Sequence, residues 1–194
     1  MNSARRAGHG GAGRPRGVRL IAGQWKRSLL PVADSPGLRP TPDRVRETLF
    51  NWLGHDLGGW RCLDAFAGSG ALGFEAASRG AAEVVLLERD AQLVRSLRAS
   101  QQRLHADGLR VEAVDALAWM AGCRPCRFDL VFIDPPFDAG LHAPAVAAAA
   151  PLVAAGGWMV VEAPGPITAA PAAFELWRQG RAGAVHFHLL RRNS

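Results

Sequence analysis

The sequence predicts an α/β fold built on a mainly parallel sheet with helices on both faces. Three observations carry that reading. From Arg61 onward, apolar runs of strand length alternate with helical stretches. The turn Gly68-Ser69-Gly70-Ala71-Leu72-Gly73 is a G-x-G-x-x-G between a strand and a helix. The apolar run Phe128–Ile133 reads as a buried strand and ends in Asp134-Pro135-Pro136-Phe137, at the sheet edge where open α/β folds bind ligands.

The elements follow in order. Val18–Ile21 and Ser28–Val32 flank Gly23-Gln24-Trp25-Lys26 and predict a small hairpin decorated by Arg19, Lys26 and Arg27. Arg39-Pro40-Thr41-Pro42-Asp43 then opens a helix, with Thr41 as N-cap and Pro42 at the first helical position. Val45, Leu49, Trp52 and Leu53 form its core-facing stripe. Strands are predicted at 61–66, 83–88, 109–114, 128–133 and 158–162, and helices at 70–79, 91–106, 116–121 and 142–153. The end of the chain differs. Phe174–Trp177 and Ala184–Leu190 are separated only by the turn Gln179–Gly183, too short for a crossover helix, so those strands pair antiparallel.

With 194 residues, 48% of them hydrophobic, the chain fits one domain with a sizeable core. The expected division is a disordered basic tail at 1–17, a hairpin and helix at 18–53, and a catalytic core at 61–194. No apolar run reaches the length of a membrane span, and Met1–Arg6 lacks the apolar core of a secretion signal. The start is Arg-rich and acid-poor, like a transit peptide, but its glycines oppose an amphipathic helix. These features and three cysteines suit a cytoplasmic protein. The net charge of +6 is uneven: residues 1–46 hold ten Arg/Lys against two Asp, and the remainder holds thirteen against fifteen acids. Positive charge gathered at one end is the footprint of a nucleic-acid partner. Cys123-Arg124-Pro125-Cys126 lacks further ligands at zinc spacing and precedes a strand rather than opening a helix, so it reads as a loop. His186 and His188 alternate on one strand face and read as surface or edge residues.

The chemistry concentrates at two places. At Asp134–Phe137 a carboxylate and an outward proline carbonyl can accept both hydrogens of one NH2 group, and an aromatic ring can stack on a flat base. A plain proline turn is the alternative for that motif alone. In the glycine turn, Gly68 and Gly70 allow close approach by a ligand. Asp64, just before it, would repel a pyrophosphate and welcome an ammonium group. Glu88 ends the next strand, where its two oxygens could take two ribose hydroxyls. Asp115, before Ala116, could accept from an adenine amine or cap the following helix. A ligand with an ammonium end, a ribose and no phosphate is S-adenosylmethionine.

Asp64-Ala65-Phe66-Ala67-Gly68-Ser69-Gly70, the acid at Glu88 and Asp134-Pro135-Pro136-Phe137 together resemble the Rossmann-like class I methyltransferases that methylate nitrogen. Arg19–Trp25 and the stretch Leu38–Leu53 narrow the resemblance to the RsmD family, guanine-N2 methyltransferases of 16S ribosomal RNA, over about Val18 to Arg191. The resemblance implies a seven-stranded sheet with one antiparallel strand and an N-terminal hairpin over the site. It implies S-adenosylmethionine as donor and, as substrate, 16S rRNA in an assembling small subunit, with the enzyme a monomer. By position, Asp134, Pro135, Pro136 and Phe137 would hold the guanine. Asp64, Phe66, Gly68, Gly70, Glu88, Asp115, Ala116 and Thr41 would line the cofactor. Arg16, Arg19, Lys26, Arg27, Arg39 and Arg44 would bind RNA phosphates, and no metal is called for. Three rivals stand beside this reading: an N-methyltransferase for DNA adenine or protein glutamine, a nicotinamide-dependent oxidoreductase using the same glycine turn, and a non-catalytic RNA-binding factor.

Overall fold

The computed structural model of the protein describes residues 17–32, 41–136 and 140–194. The tail before Gly17, with Arg16, lies outside the described residues, as do Arg39 and Phe137. A hairpin of β1 (Gly17–Arg19) and β2 (Leu29–Pro31) and the helix α1 (Asp43–Leu53) come first. Then follow β3 (Arg61–Asp64), α2 (Ala71–Ser78), β4 (Glu83–Glu88), α3 (Ala91–Leu104), β5 (Leu109–Ala113) and α4 (Ala116–Ala121). The chain continues through β6 (Phe128–Ile133), α5 (His142–Ala149), a 3-10 turn (Ala150–Leu152), β7 (Val153–Ala163), β8 (Phe174–Ala182) and β9 (Val185–Arg192).

Seven strands form one sheet in the order β5-β4-β3-β6-β7-β9-β8. β9 alone runs against its neighbours, pairing antiparallel with both β7 and β8. Strand residues alternate between two cores. Cys62, Val84, Leu130 and Phe132 face α1, α2 and α3, whereas Leu63, Val85, Val131 and Ile133 face α4 and α5. This is the two-sided burial that near-continuous apolar strands require.

Local physics moves several boundaries. Pro151 has no N–H to continue a helix, so α5 stops at Ala149 and Val153 opens β7, paired with Phe128. Gln179, Gly180 and Arg181, predicted as turn, extend β8 and pair with His188, Phe187 and His186. Gly180 serves packing there, since a Cβ would lie 2.4 Å from the Phe187 ring. His188 is wholly buried rather than at the surface, because β9 lies inside the sheet. Its ring nitrogens meet the Ile167 N–H and the Val161 carbonyl, which makes Nε2 the acceptor and Nδ1 the donor.

The N-terminal segment is fastened by a buried ionic cluster. Glu75 on α2 accepts from the backbone N–H groups of Ile21 (2.8 Å) and Ala22 (3.0 Å) and from Arg79 Nε (2.8 Å). Arg46, with no exposed surface, donates to the Arg19 carbonyl and to Asp43, and lies 3.8 Å from Glu75. The hairpin tip docks on the end of α2, where Ser78 takes Gln24 N–H and Trp25 N–H and donates to the Ala22 carbonyl. On α1, Phe50 is fully buried, 6.0 Å from the Phe132 ring with the Arg79 guanidinium 4.6 Å away.

Candidate active site

Strand order reverses between β3 and β6, so the crevice of this sheet opens at their carboxyl ends. The side chains along that edge are acidic. Asp64 ends β3, Glu88 ends β4, Asp134 follows β6, and Glu162 is the penultimate residue of β7. Four neighbouring strands thus present four carboxyl groups, with Asp115 beyond β5 extending the row. An edge of this kind favours cations and N–H donors and repels phosphate.

Asp64 is 2% exposed, and its Oδ2 accepts the Gly73 N–H at 3.0 Å. The residue expected to greet an ammonium group therefore also secures the start of α2. Burial, with Asp134 and Glu88 adding, raises its pKa to about 7 against the pull of the Gly73 and Phe66 backbone N–H groups. Glu88 is half-buried, and both its oxygens already hold backbone: Oε2 takes Gly68 N–H at 2.9 Å and Oε1 takes Asp90 N–H at 2.8 Å. The Gly68 N–H, expected to face the cofactor, is thus committed to Glu88. Each Glu88 oxygen retains a second lone pair for a hydroxyl. Gly68 (φ 52°) and Gly70 (φ 79°) both adopt the left-handed backbone, and a Cβ on Gly70 would meet Leu97 and Phe74 at 2.7 Å. The glycine at 70 is thus demanded by the protein's own packing as well as by the turn. Phe66 is half-buried and Ala116 buried. Asp115 takes the capping role, its Oδ1 accepting from Ala118 N–H at 3.0 Å.

Thr41 departs from its predicted role. Pro42 is the N-cap of α1 and no side chain caps it. The Thr41 hydroxyl, 7% exposed, points across to Asp134 Oδ2 at 3.5 Å. This contact brings the start of α1 to the D-P-P turn. Asp134 is half-buried, Pro135 buried and Pro136 exposed. Burial raises the Asp134 pKa to about 7, opposed by the Thr41 hydrogen bond. Sequence reasoning missed Glu162. It is 3% exposed, and burial first, then the charges of Asp134 and Asp64, raise its pKa to about 9 despite a hydrogen bond with Thr41. The signal was present: Trp158–Glu162 is an apolar strand ending in an acid, as Glu83–Glu88 is.

The basic residues separate. Arg19, Lys26, Arg27 and Arg44 are all exposed. Lys26 and Arg27 follow the hairpin tip docked at Ser78, the far end of α2 from the glycine turn. Eight helical residues span about 12 Å, so these two charges stand well away from the acidic edge. Cys62, Cys123 and Cys126 are free thiols, and among the described residues no group of three or more His, Cys, Asp and Glu is arranged to hold a metal. Nor is any described helix long and apolar enough to cross a membrane.

A sheet with one reversed strand, a glycine turn after its first strand and Asp-Pro-Pro at the switch point define a class I methyltransferase. The family described as "Conserved hypothetical protein 95" matches residues 18–191. The ribosomal RNA small subunit methyltransferase D of Escherichia coli K12 is 41% identical over 194 residues, spanning 96% of this chain and 94% of the relative. The protein of that name from Haemophilus influenzae is 46% identical over 132 residues, or 66% and 68% of the two chains. A solved Escherichia coli structure assigned as the methyltransferase yhhF superposes with a TM-score of 0.83 at 37% identity, covering 92% of this chain and 99% of that one. The chain belongs to this family of methyltransferases, the RsmD family.

The family implies an S-adenosylmethionine-type cofactor, and the residues fit one. The acidic edge suits its two cationic groups, the spare lone pairs of Glu88 suit its ribose hydroxyls, and the same acids oppose the pyrophosphate of a nicotinamide dinucleotide.

Proposed function

We propose that this protein methylates the exocyclic N2 amine of a guanine in 16S ribosomal RNA of an assembling small subunit, acting in the cytoplasm as a monomer. The observation that carries the chemistry is Asp134, partly open at the switch point and braced by Thr41. S-adenosylmethionine, when bound, supplies an electrophilic methyl group on a positively charged sulfur. Asp64, Phe66, Gly68, Gly70, Glu88, Asp115, Ala116 and Thr41 would hold that cofactor.

A guanine N2 lone pair is delocalised into the ring, so the amine is a weak nucleophile. Asp134 and the Pro135 carbonyl each accept one of its hydrogens and turn the lone pair toward the incoming methyl. Orientation of this kind supplies much of a transfer rate. Positive charge grows on nitrogen as its new bond forms, and ionised Asp134 stabilises it. The surplus proton then leaves to Asp134 or water. Phe137 would stack on the base once it is turned out of its helix. Arg16, Arg19, Lys26, Arg27, Arg39 and Arg44 would neutralise phosphates, with salt-dependent affinity.

The test is transfer of tritium from labelled cofactor into small subunits from cells lacking the gene, with duplex DNA as competitor. Label confined to one guanine of 16S rRNA is the expected result. Label in DNA adenine, or none in subunits, overturns it.

A further inference from the structure

Glu162, Thr41 and Asp134 come from the end of β7, the approach to α1 and the turn after β6. The Thr41 hydroxyl lies 3.5 Å from Asp134 Oδ2 and stands close enough to the Glu162 carboxyl to lower its pKa. Thr41 has one hydroxyl proton, and the two flanking groups, if ionised, can only accept. Glu162 Oε1 is buried without a hydrogen-bond partner. One hydroxyl proton cannot serve both carboxylates, and two neighbouring charges in a largely buried setting repel, so the pair is favoured with one further proton between them.

The surroundings decide which of them holds it. Facing Glu162 are Asp134 and Asp64, both acids, and across on β9 the apolar Phe187. His142 from α5 bonds to the Glu162 backbone carbonyl. Arg46 on α1 is engaged by Asp43, the Arg19 carbonyl and Glu75. Among the described residues no Arg or Lys forms an ion pair with Glu162, Asp134 or Asp64. Glu162 is 3% exposed whereas Asp134 is partly open to solvent, so the charge resides on Asp134 and the proton on Glu162.

We propose that Glu162 is a positioning residue for methyl transfer: as the neutral acid it donates to Thr41, so that Thr41 donates to Asp134 and holds it as a charged acceptor for the substrate amine. The inference rests on the reaction proposed above. It gives the acid on β7 a direction of hydrogen bonding, Glu162 to Thr41 to Asp134, that a buried carboxylate could not provide.

The test measures methyl transfer to undermethylated small subunits between pH 6 and 10 for wild type, Glu162→Leu, Glu162→Gln, Thr41→Val and Thr41→Ser. Glu162→Leu and Thr41→Val should each lower kcat at saturating cofactor by about tenfold or more, the effect of one lost bond to a charged group, and Glu162→Leu should leave the cofactor KM little changed. Glu162→Gln, whose amide still donates, should recover most of what Glu162→Leu loses, as Thr41→Ser should relative to Thr41→Val. The ratio of wild-type to Glu162→Gln rate should fall as pH rises through about 9, where only the wild type loses its donor. Glu162→Gln as impaired as Glu162→Leu would overturn the proposal, as would Glu162→Leu or Thr41→Val with full kcat. Should Glu162→Leu not fold, the Thr41 pair and the pH ratio decide alone. Wild type that transfers nothing to subunits rejects the reaction itself, a result distinct from any of these.

Discussion

Asp134 is held at the point where two opposing demands meet. In the proposed reaction it must stay ionised to accept from an amine and to stabilise the positive charge that follows, yet burial raises its pKa to about 7. Thr41 lowers it by donating to Oδ2. A carboxylate tuned this way accepts a proton readily once the new bond has formed. Asp134→Asn removes the charge but keeps a side chain of the same shape. It should lower kcat by roughly 10²–10⁴-fold, the range for a group that stabilises developing charge or moves a proton. Cofactor affinity in isothermal titration should stay within a few-fold. Asp134→Asn with normal turnover would leave the mechanism without its acceptor. Glu88 differs in kind, since one of its oxygens already braces Gly68 in the glycine turn and the other holds Asp90 N–H at the start of α3. Glu88→Ala should therefore weaken cofactor binding by tenfold or more and loosen Gly68 as well, which amide exchange at Gly68 would report.

At the scale of elements, α1 packs directly on the sheet through Phe50 and Trp52, and the hairpin is fastened to α2 and α3. Gly23 shows how tight the attachment is: its φ is +78°, and a Cβ would lie 1.7 Å from the Ser78 carbonyl oxygen. Gly23→Ala should cost about 2–4 kcal/mol in urea unfolding, from left-handed strain and a forced separation of the hairpin tip. Glu75 is the other anchor, with two backbone N–H groups and Arg79 on one carboxylate and Arg46 alongside. Replacing it with Ala leaves the Arg79 guanidinium buried without its acid and Arg46 with Asp43 alone, and should cost about 3–5 kcal/mol. Because α1 is reached through Thr41, loss of this anchor should also reduce transfer at temperatures where the protein remains folded. Unimpaired transfer by a destabilised Glu75→Ala would show that the anchor and the site are independent.

For the whole molecule, the acid edge links folding to pH. Asp64, Asp134 and Glu162 all have folded-state pKa values above those of an unfolded chain, so the native state binds more protons than the unfolded state in the interval between. Stability from these groups is fully present below about pH 4 and is lost as pH rises through about 7 for the aspartates and about 9 for Glu162. Thermal melting of the cofactor-free protein should therefore give a lower Tm at pH 9 than at pH 6, and Glu162→Gln should shrink that difference. A Tm that rises from pH 6 to pH 9, or a slope untouched by Glu162→Gln, would contradict this account. Positive charge is distributed differently: Lys26 and Arg27 stand near the hairpin tip, away from the acids. They should contribute to RNA affinity through phosphates alone, each Ala substitution reducing the slope of log K against log salt by about 1.

Periodicity and punctuation were enough to read the alternating elements, the glycine turn and the acid at Asp134 from the chain, because strands buried on both faces and turns of fixed backbone shape leave local signatures. What depended on contacts between distant segments was not legible. Arg46, Glu75 and Arg79 look like ordinary helix-surface charges until α1, α2 and the hairpin come together. Thr41 has the sequence position of a cap and the structure of a bridge, since its hydroxyl meets a partner 93 residues away. Glu162 closes an apolar run in the sequence as Glu88 does, yet only the strand pairing put it beside Asp134 and out of water. Backbone conformation is decided among near neighbours and so is written locally, whereas burial and charge coupling belong to the assembled sheet, where long-range packing sets which carboxyl keeps its proton.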